Sequence, residues 1–287
     1  MKLTRFLFMI LLFYQCELIE VPLEVEPAED KMSLSSLLIG EEGVLVSVSK
    51  SFSALSGTSL AQIRENPIDA LFVSRGNIQF QSNGNTILGE KFNDVPGFYF
   101  ADFSDYSLGD SLEISVYDSV STQQISARTK IMPSVNIDSI RFRYVAENTF
   151  LDTLKLFLTD PDTTQINYFV VHIYRSSSFL NILNNSDSLL VQSDSLLQIE
   201  SIFSDIGIDS TLITRSYTIE KNPSNDTLIA VLSHIEEGYF RFLDARKRNE
   251  DGGGGIFNEP INFPSNVENG YGYFSAHNPV YKIAIRE

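Results

Sequence analysis

The residues able to do chemistry in this 287-residue chain are few and scattered. Its three histidines, His172, His234 and His277, fall in no HxxxH or HExxH spacing, the arrangement that lets one helix face hold zinc. His172 lies in an apolar strand, where a satisfied core or rim histidine is the expectation, and His234 at the expected start of a helix. No G-x-S-x-G or S-x-x-K signature with its partners supplies a nucleophile. Asp160-Pro161-Asp162-Thr163-Thr164 opens like a calcium loop but lacks the glycine at the sixth position and the glutamate at the twelfth, which excludes an EF-hand. An Asp-Pro turn accounts for it, with a shallow calcium site between β loops as the alternative. Gly252–Gly255 follows a helix instead of opening one, and no Lys-Ser/Thr comes after, so it is a flexible helix end and not a phosphate cradle. Carboxylates are abundant, but nothing in the sequence selects a catalytic pair. The expectation is a protein that is not an enzyme, with no catalytic residues, no metal and no cofactor.

The one cysteine speaks to location. Lys2 and Arg5 precede nine consecutive apolar residues, Phe6 to Tyr14, and Cys16 follows at once. A membrane-spanning helix needs roughly 20 apolar residues. The run is too short for that and fits an export signal. It resembles a bacterial lipoprotein signal, in which the cysteine becomes the first mature residue and carries acyl chains; a plain secretory signal with an incidental thiol is the alternative. The formal charge of −16 becomes more negative by two when Lys2 and Arg5 leave. Such a surface is repelled by phosphate backbones and anionic headgroups, which excludes nucleic acid as a partner and leaves acylation as the means of holding a membrane.

The remaining elements are those that would position a site. After a signal peptide over 1–15, residues 16–33 are acidic and proline-bearing, an extended tether. From Leu34 the chain alternates apolar and polar residues in short runs divided by Gly, Pro, Asp and Ser, which predicts a mainly β protein of immunoglobulin-like sandwiches. Asn83-Gly84 is the strongest hairpin signal. Pro133 to Asn136 marks a soft boundary between an N-terminal sandwich over 34–133 and a mostly β domain over 134–287. Residues 176–213 mix both periods and predict a long loop with a short helix. One amphipathic helix is expected at about 234–248, with Ser233 and Glu236 as a capping box and Tyr239, Phe242, Leu243 and Arg246 along one face.

Two further patterns stand out. Asp followed by Ser or Thr and an aliphatic residue recurs, as in Asp110-Ser111-Leu112 and Asp152-Thr153-Leu154. Turns leading into strands explain most copies, and the pattern also looks like the O-glycosylation acceptor of Bacteroidetes-type exported proteins. Residues 256–277, IFNEPINFPSNVENGYGYFSAH, are the most distinctive stretch. Through Phe257, Asn258, Glu259, Pro260, Ser265, Asn266, Val267, Asn269, Gly270, Gly272, Phe274 and Ala276 they resemble the closing signature of a Bacteroidetes outer-membrane lipoprotein family of unknown function, whose members are usually encoded beside TonB-dependent receptors. The resemblance implies a lipid-anchored protein of the outer membrane, on its surface or its periplasmic face. It would be an accessory or ligand-capture partner of a TonB-dependent transporter, its ligand a small molecule, peptide or glycan. A surface adhesin or glycan-binding module without a transporter is the runner-up. Tyr271 and Tyr273 beside the Asn269-Gly270 turn are the candidate ligand-binding residues, since Tyr offers a flat apolar face with a polar end. A structural turn packing under the helix is the favoured reading of the same residues.

Overall fold

The computed structural model describes residues 30–39, 43–51, 70–93, 95–102, 107–144, 151–175, 197–208, 210–220, 227–251 and 262–285. Cys16, the expected signal peptide and most of the tether lie outside them. Among the described residues the chain is mainly β, as the alternation predicts, with a helix near the C-terminus.

The first unit comprises β1 (Met32–Ile39), β2 (Gly43–Lys50), β3 (Gly76–Ser82), β4 (Asn85–Lys91), β5 (Phe98–Ala101), β6 (Ser111–Asp118) and β7 (Gln124–Met132). Their hydrogen-bonded order is β7-β6-β3-β4-β5-β2-β1. β4 changes partner along its length: Asn85 to Gly89 pair with β3, and Glu90 and Lys91 with β5. Alternate residues from both ends of this ribbon meet in one core, Leu34, Val44, Val46 and Val48 against Ile78, Phe80, Leu112 and Ile114. The ribbon therefore closes on itself as two layers around apolar side chains set by the period of two. Asn83 and Gly84 join β3 to β4 with φ of 50° and 81°, the left-handed pair that a two-residue hairpin turn requires. β1 begins inside the expected end of the tether, because Met32 is fully buried in register with Leu34.

The second unit holds β8 (Ile137–Tyr144), β9 (Leu151–Thr159), β10 (Tyr168–Arg175), β11 (Leu197–Ser204), β12 (Leu212–Glu220) and β13 (Thr227–Ile235), followed by α1 (Glu237–Asp251). The sheet β12-β9-β8 faces the sheet β11-β10-β13 across a second core that includes Leu154, Leu156, Phe169, Ile173, Ala230 and Leu232. Residues 197–204 are strand, not the loop or short helix their mixed period suggests. They pair along β10 and place Phe203 in the core, where its ring stacks on Phe169 with centroids 5.0 Å apart.

The helix also starts later than its sequence signal. Ser233 is buried in β13 opposite Val170, because the apolar run from Leu228 keeps pairing with β10 as far as Ile235. The carbonyl of Glu236 accepts the first helical N–H, from Phe240, at 3.0 Å. Its carboxylate does not return to Ser233. It accepts from Thr129 Oγ1 at 2.6 Å and from the Lys130 N–H at 3.0 Å, both in β7 of the first unit. Exposed pairs Glu237–Arg241 and Asp244–Arg248 add the few tenths of a kcal/mol usual for i,i+4 spacing.

Four short strands follow the helix: β14 (Val267–Glu268), β15 (Tyr271–Tyr273), β16 (Ala276–His277) and β17 (Val280–Ile285). Although they lie at the far end of the chain, three of them pair with the first unit. β14 and β16 lie along β7 at Ser126–Ala127 and Ile131–Met132, and β15 runs parallel to β1 at Ser33–Ser35. One segment thus covers both free edges of the folded ribbon. Phe274 is fully buried between them, near Phe80. β17 then returns to pair with β13.

Gly272 makes the β1 contact possible. It has φ of +97°, and a Cβ there would lie 2.0 Å from the Leu34 carbonyl oxygen. Gly84 also has positive φ, but open space surrounds it. Gly84→Ala should cost about 1 kcal/mol of left-handed strain, whereas Gly272→Ala must also push β15 off β1 and should cost about 3 kcal/mol or more. Urea unfolding of the two variants checks the difference; equal losses would contradict the closure.

Candidate functional site

A groove of about 500 Å³ opens on the outer face of β3, β4, β6 and β7, walled by β14. The pleat puts it there. Ile78, Phe80, Ile114 and Ala127 point into the core, so their neighbours Gln79, Gln81, Glu113, Ser115, Ser126 and Arg128 point out. Arg128 Nε donates to Ser111 Oγ at 2.6 Å and lies 3.1 Å from Glu113 Oε1. Ser126 Oγ donates to Glu268 Oε2 at 3.2 Å, and Gln124 Nε2 to Ser115 Oγ at 3.2 Å. The side-chain amides of Gln79 and Gln81 meet no hydrogen-bond partner among the described residues and present donors and acceptors to solvent. Asn266 is different. Its Nδ2 donates to the carbonyls of Arg128 (2.9 Å) and Phe274 (2.7 Å), and its Oδ1 accepts the Phe274 N–H (2.8 Å). It is a staple holding the wall.

A second polar cluster lies under α1, where the units meet. Glu200 of β11 is paired with Arg246 of α1 and stands 3.9 Å from His172 Nε2 of β10. The His277 ring is 5.9 Å from Tyr239, which is 5.5 Å from Tyr273. Burial holds the His277 imidazole down to a pKa of about 4, with His172 adding repulsion. Burial also lowers His172, opposed by Glu200 and assisted by Arg246. His234 stacks on Phe169 at 5.5 Å and is likewise lowered by burial, against an opposing bond to the Pro133 backbone. The Nδ1 atoms of His234 and His277 are sealed from solvent without a hydrogen-bond partner. The fold therefore brings His172 and His277 into electrostatic contact, and all three imidazoles are neutral at pH 7. No group of three His, Cys, Asp or Glu that could hold a metal occurs among the described residues.

The Asp160 loop is organised around an amide. Asn167 Nδ2 donates to Asp160 Oδ1 (3.0 Å), the Asp162 carbonyl (3.0 Å) and Asp205 Oδ2 (2.8 Å), so an NH₂ group occupies the centre of these oxygens. Of the two tyrosines read as ligand candidates, Tyr273 is 9% exposed beneath the helix, its hydroxyl so close to Gly238 that a Cβ there would lie 2.0 Å away. Burial and Glu236 push its pKa up to about 12. Tyr271 is 45% exposed, its ring 5.6 Å from Lys31 Nζ. The groove is the feature that sequence reasoning missed. The outward polar alternation in GNIQFQS, SLEISVYD and QISARTKIM is legible, but nothing local shows that β14 walls it.

The histidine cluster makes the fold acid-sensitive with a definite sign. Below the ordinary imidazole value of 6.5, the unfolded chain takes up a proton that folded His277 refuses until about pH 4. Its contribution to stability is complete above about pH 6.5 and falls as pH drops toward 4, by on the order of 3 kcal/mol. His277→Gln should flatten that slope in urea midpoints measured between pH 7.5 and 4.5, leaving the part due to His172 and His234. An unchanged slope would contradict the burial of His277.

No curated protein is similar to the chain in sequence. Among solved structures, E. coli alpha-2-macroglobulin in its native conformation matches over 75% of this chain and 14% of its own, at 11% identity and a TM-score of 0.21, a likeness too remote to carry any argument. A family model is matched over nearly the whole length, from residue 19 to residue 283. The chain thus belongs to the family described as "Domain of unknown function (DUF4249)".

Proposed function

We propose that this is an exported, lipid-anchored binding protein of a Bacteroidetes outer membrane that captures a ligand in the first-unit groove for a TonB-dependent transporter. The groove carries the reading: it offers about 500 Å³ of concave surface, with the outward amides of Gln79 and Gln81 beside hydroxyls and charged groups. His277 under α1 and His234 against Phe169, each with Nδ1 sealed from solvent and its pKa lowered by burial, fit a packing role and not turnover. The acyl chains on Cys16 anchor a body whose formal charge, −16 before Lys2 and Arg5 leave and more negative after, would not hold it to anionic lipid. The tether lets the groove stand away from the bilayer. The same groove would serve an adhesin or glycan-binding module acting without a transporter, and the choice between the two rests on the partner.

Two measurements in the native host test the reading. Labelled palmitate should enter the wild-type chain and not Cys16→Ser, and a crosslinked pull-down from native membranes should recover a β-barrel transporter. Equal labelling of both chains would refute the anchor. Recovery of no barrel, with binding to cells retained, would replace the transporter reading with the adhesin one.

A further inference from the structure

We infer that the groove takes a neutral oligosaccharide, an inference that rests on the groove being the ligand site. Three observations converge on that class. The first is charge. Glu113 and Glu268 outnumber Arg128 within a chain of formal charge −16, so phosphate, sulfate or uronate groups are repelled. A cationic ligand would have to compete with Arg128 itself, which already lies 3.1 Å from Glu113.

The second is the state of the backbone. Three strands of the floor have partners on both sides: β3 between β4 and β6, β6 between β3 and β7, and β7 between β6 and, at Ser126 and Ala127, β14; β4 at Thr86 pairs with β3. An extended peptide binds a sheet by adding to a free edge, and on the β7 side of the groove that edge is occupied by β14. What remains is side-chain chemistry. Gln79 and Gln81 offer planar amides, each with two donors and an acceptor, beside Thr86, Ser115 and the two carboxylates. Interleaved donors and acceptors of this kind match adjacent hydroxyls, each of which also both donates and accepts. The floor from β14 to β4 spans four strand spacings, about 19 Å, which suits an elongated ligand.

The third is an aromatic platform. Tyr117 stands two residues beyond Ser115 on β6, so it shares the outer face about 7 Å further along. It is 42% exposed and lies opposite Gln124, whose amide is tied to Ser115. An exposed Tyr beside an array of amides gives a flat apolar surface for the C–H face of a sugar ring, with its hydroxyl at the wet end.

Affinity electrophoresis of the purified folded chain in gels containing dextran, laminarin, mannan or xylan tests the inference. Polygalacturonate, heparin and a tryptic peptide mixture serve as counter-probes. At least one neutral polysaccharide should retard the wild type. Gln79→Ala with Gln81→Ala should weaken that binding at least tenfold and Tyr117→Ala three- to tenfold, whereas Tyr117→Phe and Tyr271→Ala should leave it unchanged. Thermal unfolding of each variant separates lost binding from lost fold. No retardation by any neutral polymer, retardation undiminished in the folded Gln79/Gln81 variant, or groove-dependent binding of an acidic polymer or peptide instead would overturn it. These outcomes are independent of whether a transporter is recovered, so the ligand class and the transport partner can fail separately.

Discussion

A β ribbon folded into two layers has two edges with unpaired N–H and C=O groups, and in this protein a single segment, Asn266 to His277, covers both. It lies along β7, crosses the gap to β1, and comes back to β7 before joining the second unit through β17. Open edges invite pairing with other chains, and their closure from within is one way a sandwich stays monomeric. The crossing has strict requirements. Asn266 ties the two arms together with two hydrogen bonds to Phe274 and fixes them to β7 with a third to the Arg128 carbonyl, and Gly272 allows the chain to touch the Leu34 carbonyl. Phe274 fills the core, and the Ser275 backbone exchanges two bonds of 2.7 Å with Ser36 Oγ. Asn266, Gly272 and Phe274 are among the residues that make the C-terminal stretch distinctive as a sequence, and each has a mechanical reason to be there.

The closure also joins the units and builds the groove. Tyr273 at the crossing packs under α1 against Tyr239 and Phe242, and Glu236 at the head of α1 reaches Thr129 and Lys130 of β7. β14, the first arm of the crossing, becomes the wall of the groove through Asn266 and Glu268. Chemistry is thereby separated from packing. The His277 imidazole and the Tyr273 hydroxyl, both held neutral by burial, lie in the junction, while the groove carries exposed amides, two carboxylates and a guanidinium. The ligand-capture reading needs a surface of the second kind.

Local periodicity made most of the fold legible. Alternation located β2, β3, β6, β7, β9 and β10, and Asn83-Gly84 placed the first hairpin. The failures are equally physical. β11 has an ambiguous period because one side of it feeds the core through Phe203 and the other feeds the helix through Glu200 and Ile202. Ser233-to-Glu236 has the spacing of a capping box, but strand pairing with β10 outweighs a cap worth about 1 kcal/mol. The groove and the His172–His277 approach depend on contacts between residues more than a hundred positions apart, and no local pattern encodes those.

Native-state hydrogen exchange of the folded chain tests the central constraint most directly. The outward-turned amides of the β1 edge, Leu34 foremost, and those of the β7 edge in the run Ser126 to Arg128 face the same crossing segment on opposite sides of the ribbon, while their strand neighbours turn inward to β2 and β6. The account predicts that both sets exchange with one common opening free energy and one denaturant dependence. Protection persisting at one edge after the other has exchanged would show that the segment closes them separately, and the account would be wrong.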